Sequence, residues 1–328
     1  MRSDRFRHEA LLYDDQDGFL AGTVRFVAEG LARDEPVLVA LPPPGLATLR
    51  RALADRDAAR VRMVDMSSAG RNPGRIMPGL LLRFASEHAG EPFRVLGEPV
   101  WPGRDDLAYP ACVQHEALIN TVFAGRAATI RCPYDARGLE RRALTDAERT
   151  HPCLVTAAGT RVSERFGDPL VTAAAYNLPL PPPPAGATVL PVDAAGLGPL
   201  RQRVAETARA AGLPPDRIRD ATIALNELAV NTVEHSSGPG RLAIWSRPGL
   251  LAGQLTDGGH ITDPLAGRVP PAPGAISGRG LYAVQQACDL VRIHTVPGRT
   301  TVRVHVGAQP APPVALPAPG ATLAGDLS

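Results

Sequence analysis

Apolar residues in the first half of the chain fall into short runs at 10–13, 37–41, 61–64, 93–96 and 128–132. Runs this short, bounded by polar and turn-forming residues, read as buried strands. Between them, residues 18–31, 45–53, 75–88 and 112–123 repeat apolar positions at helical spacing, and a helix at 139–149 and a strand at 153–156 close the region. Strands alternating with helices in this way predict an α/β domain with a mainly parallel sheet, covered by helices on both faces.

From 168 to 186 the pattern stops. Pro179 and the run Pro181 to Pro184 fit neither a helix interior nor a central strand, so this stretch reads as a stiff polyproline linker. Beyond it the periodicity predicts two helices at 197–211 and 215–235, then strands at 242–246 and 252–256 around a Pro248-Gly249 turn. A Pro- and Gly-rich loop spans 264–277 and leads into a short helix ending at Cys288. Strands at 290–295 and 300–306 flank a Pro297-Gly298 turn, and the Ala/Pro-rich end of the chain reads as disordered. The expected organisation is a first domain at 6–167, a linker at 168–186, an α+β domain at 187–307 and a tail at 308–328.

Composition narrows the function. Apolar residues make up 44 % of the 328, enough for two ordinary cores. No run approaches the ~18 apolar residues that cross a bilayer. The start, with Arg2, Asp4, Arg5 and Arg7, is unlike a secretory signal, so the expected location is cytoplasmic, with no membrane partner. Net charge is +2 with both signs interspersed, which argues against direct nucleic-acid binding. The chain has no lysine, which excludes a Walker A loop. Cys112, Cys132, Cys153 and Cys288 lie far apart without a CxxC pair and read as buried reduced thiols. The alternative is a metal site joining three of them to His115 or His151.

Three motifs carry candidate chemistry. On the helix holding Asn226-Glu227-Leu228-Ala229-Val230-Asn231-Thr232-Val233-Glu234-His235, the residues Glu227, Asn231 and His235 form one stripe. Ile218, Leu225, Ala229 and Thr232 fall on the opposite side, and Ile223 and Val230 rim the stripe. A carboxylate and an amide one turn apart suit a magnesium ion and a triphosphate, the amide as a hard-cation ligand and the carboxylate as a proton acceptor. The alternative is an ordinary amphipathic helix. Asp257-Gly258-Gly259 follows a strand, where an aspartate can accept from an exocyclic amine and glycine lets a flat ring approach; a plain turn is the alternative. Gly278-Arg279-Gly280 opens a helix, where bare amides and Arg279 can hold phosphate, or where it simply starts the helix.

The order of these motifs resembles the GHKL (Bergerat) ATPases over about 191–306, so the expected fold there is an ATP-binding sandwich. NELAVNTVEHS is similar to the anti-sigma serine kinases. That resemblance implies Asn231 as the Mg2+ ligand, Glu227 as the catalytic carboxylate and Asp257 as the reader of the adenine amine. It implies Gly259, Gly278, Arg279, Gly280 and Thr300 around the ATP, with 264–277 as its lid. One departure stands out: the family pattern is DxGxG, and Ile261 occupies the second glycine, which puts turnover in question.

The first half resembles the MEDS sensory domain, a KaiC-like module. The matching stretches are 8–13, Gly97-Glu98-Pro99 with Trp101, His115-Glu116-Ala117-Leu118-Ile119-Asn120, Cys132-Pro133-Tyr134-Asp135 and Thr150-His151-Pro152. It implies a small-molecule ligand, with Glu98, His115, Glu116, Tyr134 and Asp135 as a sensory cleft near strand ends; capping and core hydrogen bonds are the alternative. The combined expectation is a transcription regulator: a protein serine/threonine kinase that uses ATP and Mg2+ to phosphorylate an anti-anti-sigma (STAS-type) partner, with that protein, a sigma factor, or both as its binding partners. Two alternatives are an ATP-gated sequestration module and a histidine kinase. The latter lacks a histidine between His151 and His235. Assembly, a homodimer included, is left open.

Overall fold

The structure is a computed structural model describing residues 6–272 and 278–309. The chain forms two compact units, one of residues 6–70 and 79–176 and one of residues 71–78 and 177–309 as far as described. The lid expected at 264–277 is described only to 272, and most of the tail expected at 308–328 lies outside the described residues.

The first unit is built on strands β1 (Arg7–Tyr13), β2 (Val37–Leu41), β3 (Val61–Asp65), β4 (Phe93–Gly97), β5 (Ala128–Asp135), β6 (Cys153–Thr156) and β7 (Gly159–Val162), in the order β3-β2-β4-β5-β1-β6-β7. All pairs are parallel except β6–β7. Every residue of β2 and β4 is buried, as a sheet covered on both faces requires. Helix Gln16–Leu31 starts where Asp15 accepts from Gly18 N at 2.8 Å and buries Phe19, Phe26, Val27 and Leu31 against β2 and β4.

Residues 75–88 are not one helix. They run as helix Pro73–Ile76, a π-helical segment Met77–Leu82 and helix Arg83–Glu87. Pro78 lacks the N–H that a regular ladder needs there. The expected linker also differs. Residues Pro169–Ala175 are helical, with Asp168 Oδ1 accepting from Leu170 N and Val171 N at 2.7 and 3.0 Å. The proline run is not a free spacer either: Arg303 donates to Pro181 O, and Asn177 exchanges hydrogen bonds with the Thr295 backbone at 2.7 and 3.0 Å.

The second unit carries an antiparallel sheet of β8 (Thr188–Val192), β9 (Gly240–Arg247), β10 (Leu250–Asp257), β11 (Leu290–Val296) and β12 (Arg299–Gly307), in the order β11-β12-β10-β9-β8. Helices Leu197–Ala210, Pro215–His235 and Arg279–Ala287 supply the other layer. Leu225, Leu228 and Ala229 pack with Leu251, Leu255, Val302 and Val304 in one core. This two-layer arrangement is the GHKL ATPase sandwich.

Candidate functional site

The long helix Pro215–His235 brings the three C-terminal motifs together. It buries Ala221, Ala224, Leu225, Leu228, Ala229 and Thr232, leaving Glu227 and Asn231 half-buried and His235 exposed. Ile223, expected to rim that stripe, is 43 % exposed. Over Glu227 and Asn231 lies the start of helix Arg279–Ala287. A Cβ built on Gly280 would stand 3.0 Å from Glu227 Oε2 and 3.2 Å from Asn231 Oδ1. Only glycine leaves that space open for a ligand. Gly278 caps the helix at φ 85° with no side-chain cap, so the first-turn amides are not consumed by a capping side chain. Arg279 is exposed. A carboxylate, an amide oxygen and bare helix-start amides around one gap suit a Mg–triphosphate.

The next turn of the helix holds Asp257. Thr232 Oγ1 donates to Asp257 Oδ2 at 2.7 Å, and Gly259 N donates to Oδ1 at 2.8 Å. Each carboxylate oxygen has two acceptor positions, so both can still receive a donor from a purine amine. Ser236 Oγ accepts from Gly258 N at 3.0 Å, tying the turn to the helix end. Thr300, opposite Asp257 in the β10–β12 register, donates to Gly259 O at 3.1 Å and contacts Thr295 Oγ1 at 2.8 Å. Its hydroxyl therefore braces the Asp-Gly-Gly turn. Ile261 N donates to Thr295 Oγ1 at 2.9 Å and the side chain packs against the domain core. No positive φ is found at Ile261, so the backbone there accommodates an isoleucine without strain.

The residues expected as a sensory cleft separate into two groups. Glu98 and Asp135 follow and end β4 and β5, neighbours in the sheet. Burial, and then the Asp135 charge, push the Glu98 carboxyl up to about 8. Tyr13, at the end of β1, is raised by burial and by both carboxylates. Glu116 instead meets His8 and His151. Tyr134 lies edge-on to His151 with ring centroids 5.6 Å apart. Glu116 and Tyr134 also line a small pocket with Val100, Tyr109, Val113 and Asp146. His115 is buried on the same helix as Glu116, Tyr109–Val122, but as its immediate neighbour it leaves the helix about 100° away.

The raised Glu98 carboxyl has a stability consequence. Its stabilising contribution is complete below about pH 4.5 and is lost as pH rises through about 8. Glu98→Gln should remove that loss, leaving the variant up to a few kcal/mol more stable than wild type at pH 9 and nearly equal at pH 5. Thermal melts across that range, followed by circular dichroism, check this; parallel curves would show that Glu98 does not ionise late.

The geometry thus defines two parts: a mainly parallel α/β domain with a buried polar centre, and a two-layer sandwich of the GHKL type with its three motifs gathered along the long helix. Comparison with known families agrees. Residues 7–152 match the model described as MEDS, the MEthanogen/methylotroph, DcmR Sensory domain. Residues 190–306 match the histidine kinase-like ATPase domain. The chain is a MEDS domain followed by a histidine kinase-like ATPase domain. No curated protein matches it. Among solved structures, the RsbU and RsbW domains of Rv1364c from Mycobacterium tuberculosis align over 39 % of this chain and 34 % of that one, at 19 % identity and a TM-score of 0.30. That alignment spans about a third of the other chain and carries no argument about this one. No helix among the described residues is long and apolar enough to cross a membrane.

Proposed function

We propose that this chain is an ATP-dependent switch of the anti-sigma type, which transfers phosphate to a serine or threonine of a STAS-type anti-anti-sigma partner, and holds or releases a sigma factor accordingly. Its MEDS domain takes the signal, a small organic molecule. The observation that carries the reading is the convergence on one helix of Gly280 over Glu227 and Asn231 with Asp257 held by Thr232.

In this reading Asn231 ligates Mg2+ through its amide oxygen, and the Gly278 and Gly280 amides with Arg279 hold the phosphates. When bound, Mg2+ neutralises charge that develops between the β- and γ-phosphates. Glu227 accepts the proton of the incoming hydroxyl, and Asp257 accepts from the adenine amine. The Gly259 amide and the Thr300 hydroxyl keep that carboxylate turned toward the base. One observation favours a second reading, a clamp that binds ATP without transferring it. Ile261 fills the second glycine position with a side chain packed in the core, so the backbone there is less free to follow a moving nucleotide.

Binding is tested at Asp257. In Asp257→Asn, Gly259 N still demands an acceptor, so the amide NH2 takes the place of Oδ2 and faces the adenine amine donor to donor. ATP affinity should fall by about 1–3 kcal/mol in calorimetry, and wild type should prefer ATP over GTP. Equal binding of the two nucleotides would remove Asp257 from base recognition.

A further inference from the structure

Four buried side chains from four separate elements of the MEDS domain meet at one point. They are His8 on β1, Cys132 on β5, Glu116 on helix Tyr109–Val122 and His151 at the end of helix Arg141–Thr150. One ligand atom from each lies within 4.8 Å of all the others. Nε2 of His8 and Nε2 of His151 are 3.1 and 3.0 Å from Glu116 Oε2, and Cys132 Sγ is 3.6 Å from His8 Nε2. The three polar residues are at most 2 % exposed, and Cys132 is 1 % exposed.

The far side of each imidazole says what faces the centre. His151 Nδ1 lies 2.8 Å from Ala147 O, a pure acceptor, so the ring proton is on Nδ1. Asn120 spends its NH2 on Thr150 O and Ala117 O at 2.8 and 3.1 Å, which leaves its Oδ1 to accept from His8 Nδ1 at 3.2 Å. Both rings therefore turn an Nε2 lone pair inward, toward a carboxylate that is itself only an acceptor. The contacts have ion-pair distance but not hydrogen-bond geometry: Glu116 Oε1 and Oε2 and His151 Nε2 have no hydrogen-bond partner among the described residues. Among the described residues the result is a buried point of converging lone pairs with the Cys132 thiol beside it, a costly arrangement without a cation.

We propose that His8, Glu116, Cys132 and His151 form a closed four-coordinate site for one divalent transition-metal ion, zinc by the N, O and S donors it offers. Two imidazoles, a carboxylate and a thiolate are a tetrahedral set, and the acceptors on both Nδ1–H groups, Asn120 Oδ1 and Ala147 O, orient the rings as metal histidines require. Bonds of about 2.0–2.1 Å to nitrogen and oxygen and about 2.3 Å to sulfur place tetrahedral ligands roughly 3.3–3.6 Å apart, close to the 3.0, 3.1 and 3.6 Å of three of the six pairs, the remaining pairs lying within 4.8 Å. On binding, the Cys132 thiol loses its proton to solvent and the sulfur lone pair bonds the metal. The ion joins two strands and two helices that are distant along the sequence.

The test uses the full chain, stripped with chelator and titrated with Co2+ in excess Mg2+ and without nucleotide. The expected result is uptake of about one cobalt per chain, with a thiolate-to-cobalt charge-transfer band in the near ultraviolet and the intense visible bands of four-coordinate cobalt, all bleached by one equivalent of zinc. Cys132→Ser should lose the charge-transfer band, and His151→Ala should weaken cobalt binding by more than about 100-fold. Folded wild type that takes up no cobalt, or a Cys132→Ser protein that keeps the band, would overturn the proposal. Should the variants not fold, the wild-type thiolate band and its bleaching by zinc still decide it.

Discussion

Arg217→Ala is expected to destabilise the ATPase domain by about 3–5 kcal/mol, the scale for removing one partner of a buried ion pair. The Arg217 side chain is fully buried, yet its guanidinium is satisfied on every side. Nη1 reaches Asp220 Oδ2 at 2.7 Å and Ala287 O at 3.1 Å, Nη2 reaches Asp289 Oδ2 at 2.8 Å, and Nε donates to Gly307 O at 2.9 Å. One side chain thus ties the long helix to the end of helix Arg279–Ala287 and to the end of β12. Alanine would leave two carbonyls without this donor, and Asp289, which is 8 % exposed, with only the Gly307 N–H at 2.6 Å and the more distant Arg71 Nη1 at 3.2 Å. Arg217→Met should be nearly as damaging although it fills the space, because Asp289 and Asp220 lose the guanidinium they share and the Gly307 and Ala287 carbonyls lose its N–H groups. With two domains in the chain a single unfolding transition is not assured. Amide hydrogen exchange in β11 and β12 reads the ATPase domain alone. Protection within about 1 kcal/mol of wild type in the alanine variant would refute the assignment.

Much of this architecture was legible in the chain. The helix Pro215–His235 has the expected limits because Pro214-Pro215 opens it and Ser236-Ser237-Gly238 follows it. The central strands β2 and β4 were found because fully buried strands are near-continuous apolar runs. Elements without that contrast were missed. All four residues of β7 are exposed, and β8 carries Pro191 at the sheet edge, where a missing N–H is tolerated. The helix Pro169–Ala175 was hidden by the prolines after it, although Asp168 followed by Pro169 is a helix-start signal.

The candidate nucleotide site was readable as three local motifs because each lies on one turn or one helix stripe. What holds them was not. Thr232 was placed on the apolar side of its helix, and only the sheet register sets its hydroxyl on Asp257. Thr300, expected beside the nucleotide, braces the Asp-Gly-Gly turn through Gly259 O, a contact no motif announced. The buried cluster was the least visible, since its four residues come from four elements and share no spacing. His8, Glu116, Cys132 and His151 all fell within stretches singled out for resemblance, yet the metal alternative weighed there counted cysteines, and only Cys132 takes part.

Glu227→Gln separates a kinase from a clamp and carries the largest expected change in activity. Glu227 lies one helical turn before Asn231 and faces the same gap at Gly280, so in the proposed complex its carboxylate points toward the terminal phosphate and an approaching hydroxyl. Glutamine keeps the size and one carbonyl oxygen but cannot take a proton. If the chain transfers phosphate, ATP affinity should stay within about tenfold while transfer to the partner falls by roughly 10²–10⁴-fold, the scale for losing a general base. Labelled ATP, wild type or variant, and a STAS-type partner recovered from the native cell provide the assay. A clamp predicts a different pattern: no transfer by wild type, and partner binding that depends on ATP and is almost unchanged by the substitution. Transfer by Glu227→Gln at the wild-type rate would refute the role given to Glu227 while leaving the nucleotide site standing. Loss of ATP binding in the same variant would instead place Glu227 among the binding groups, with the proton acceptor to be sought elsewhere around the Gly280 gap.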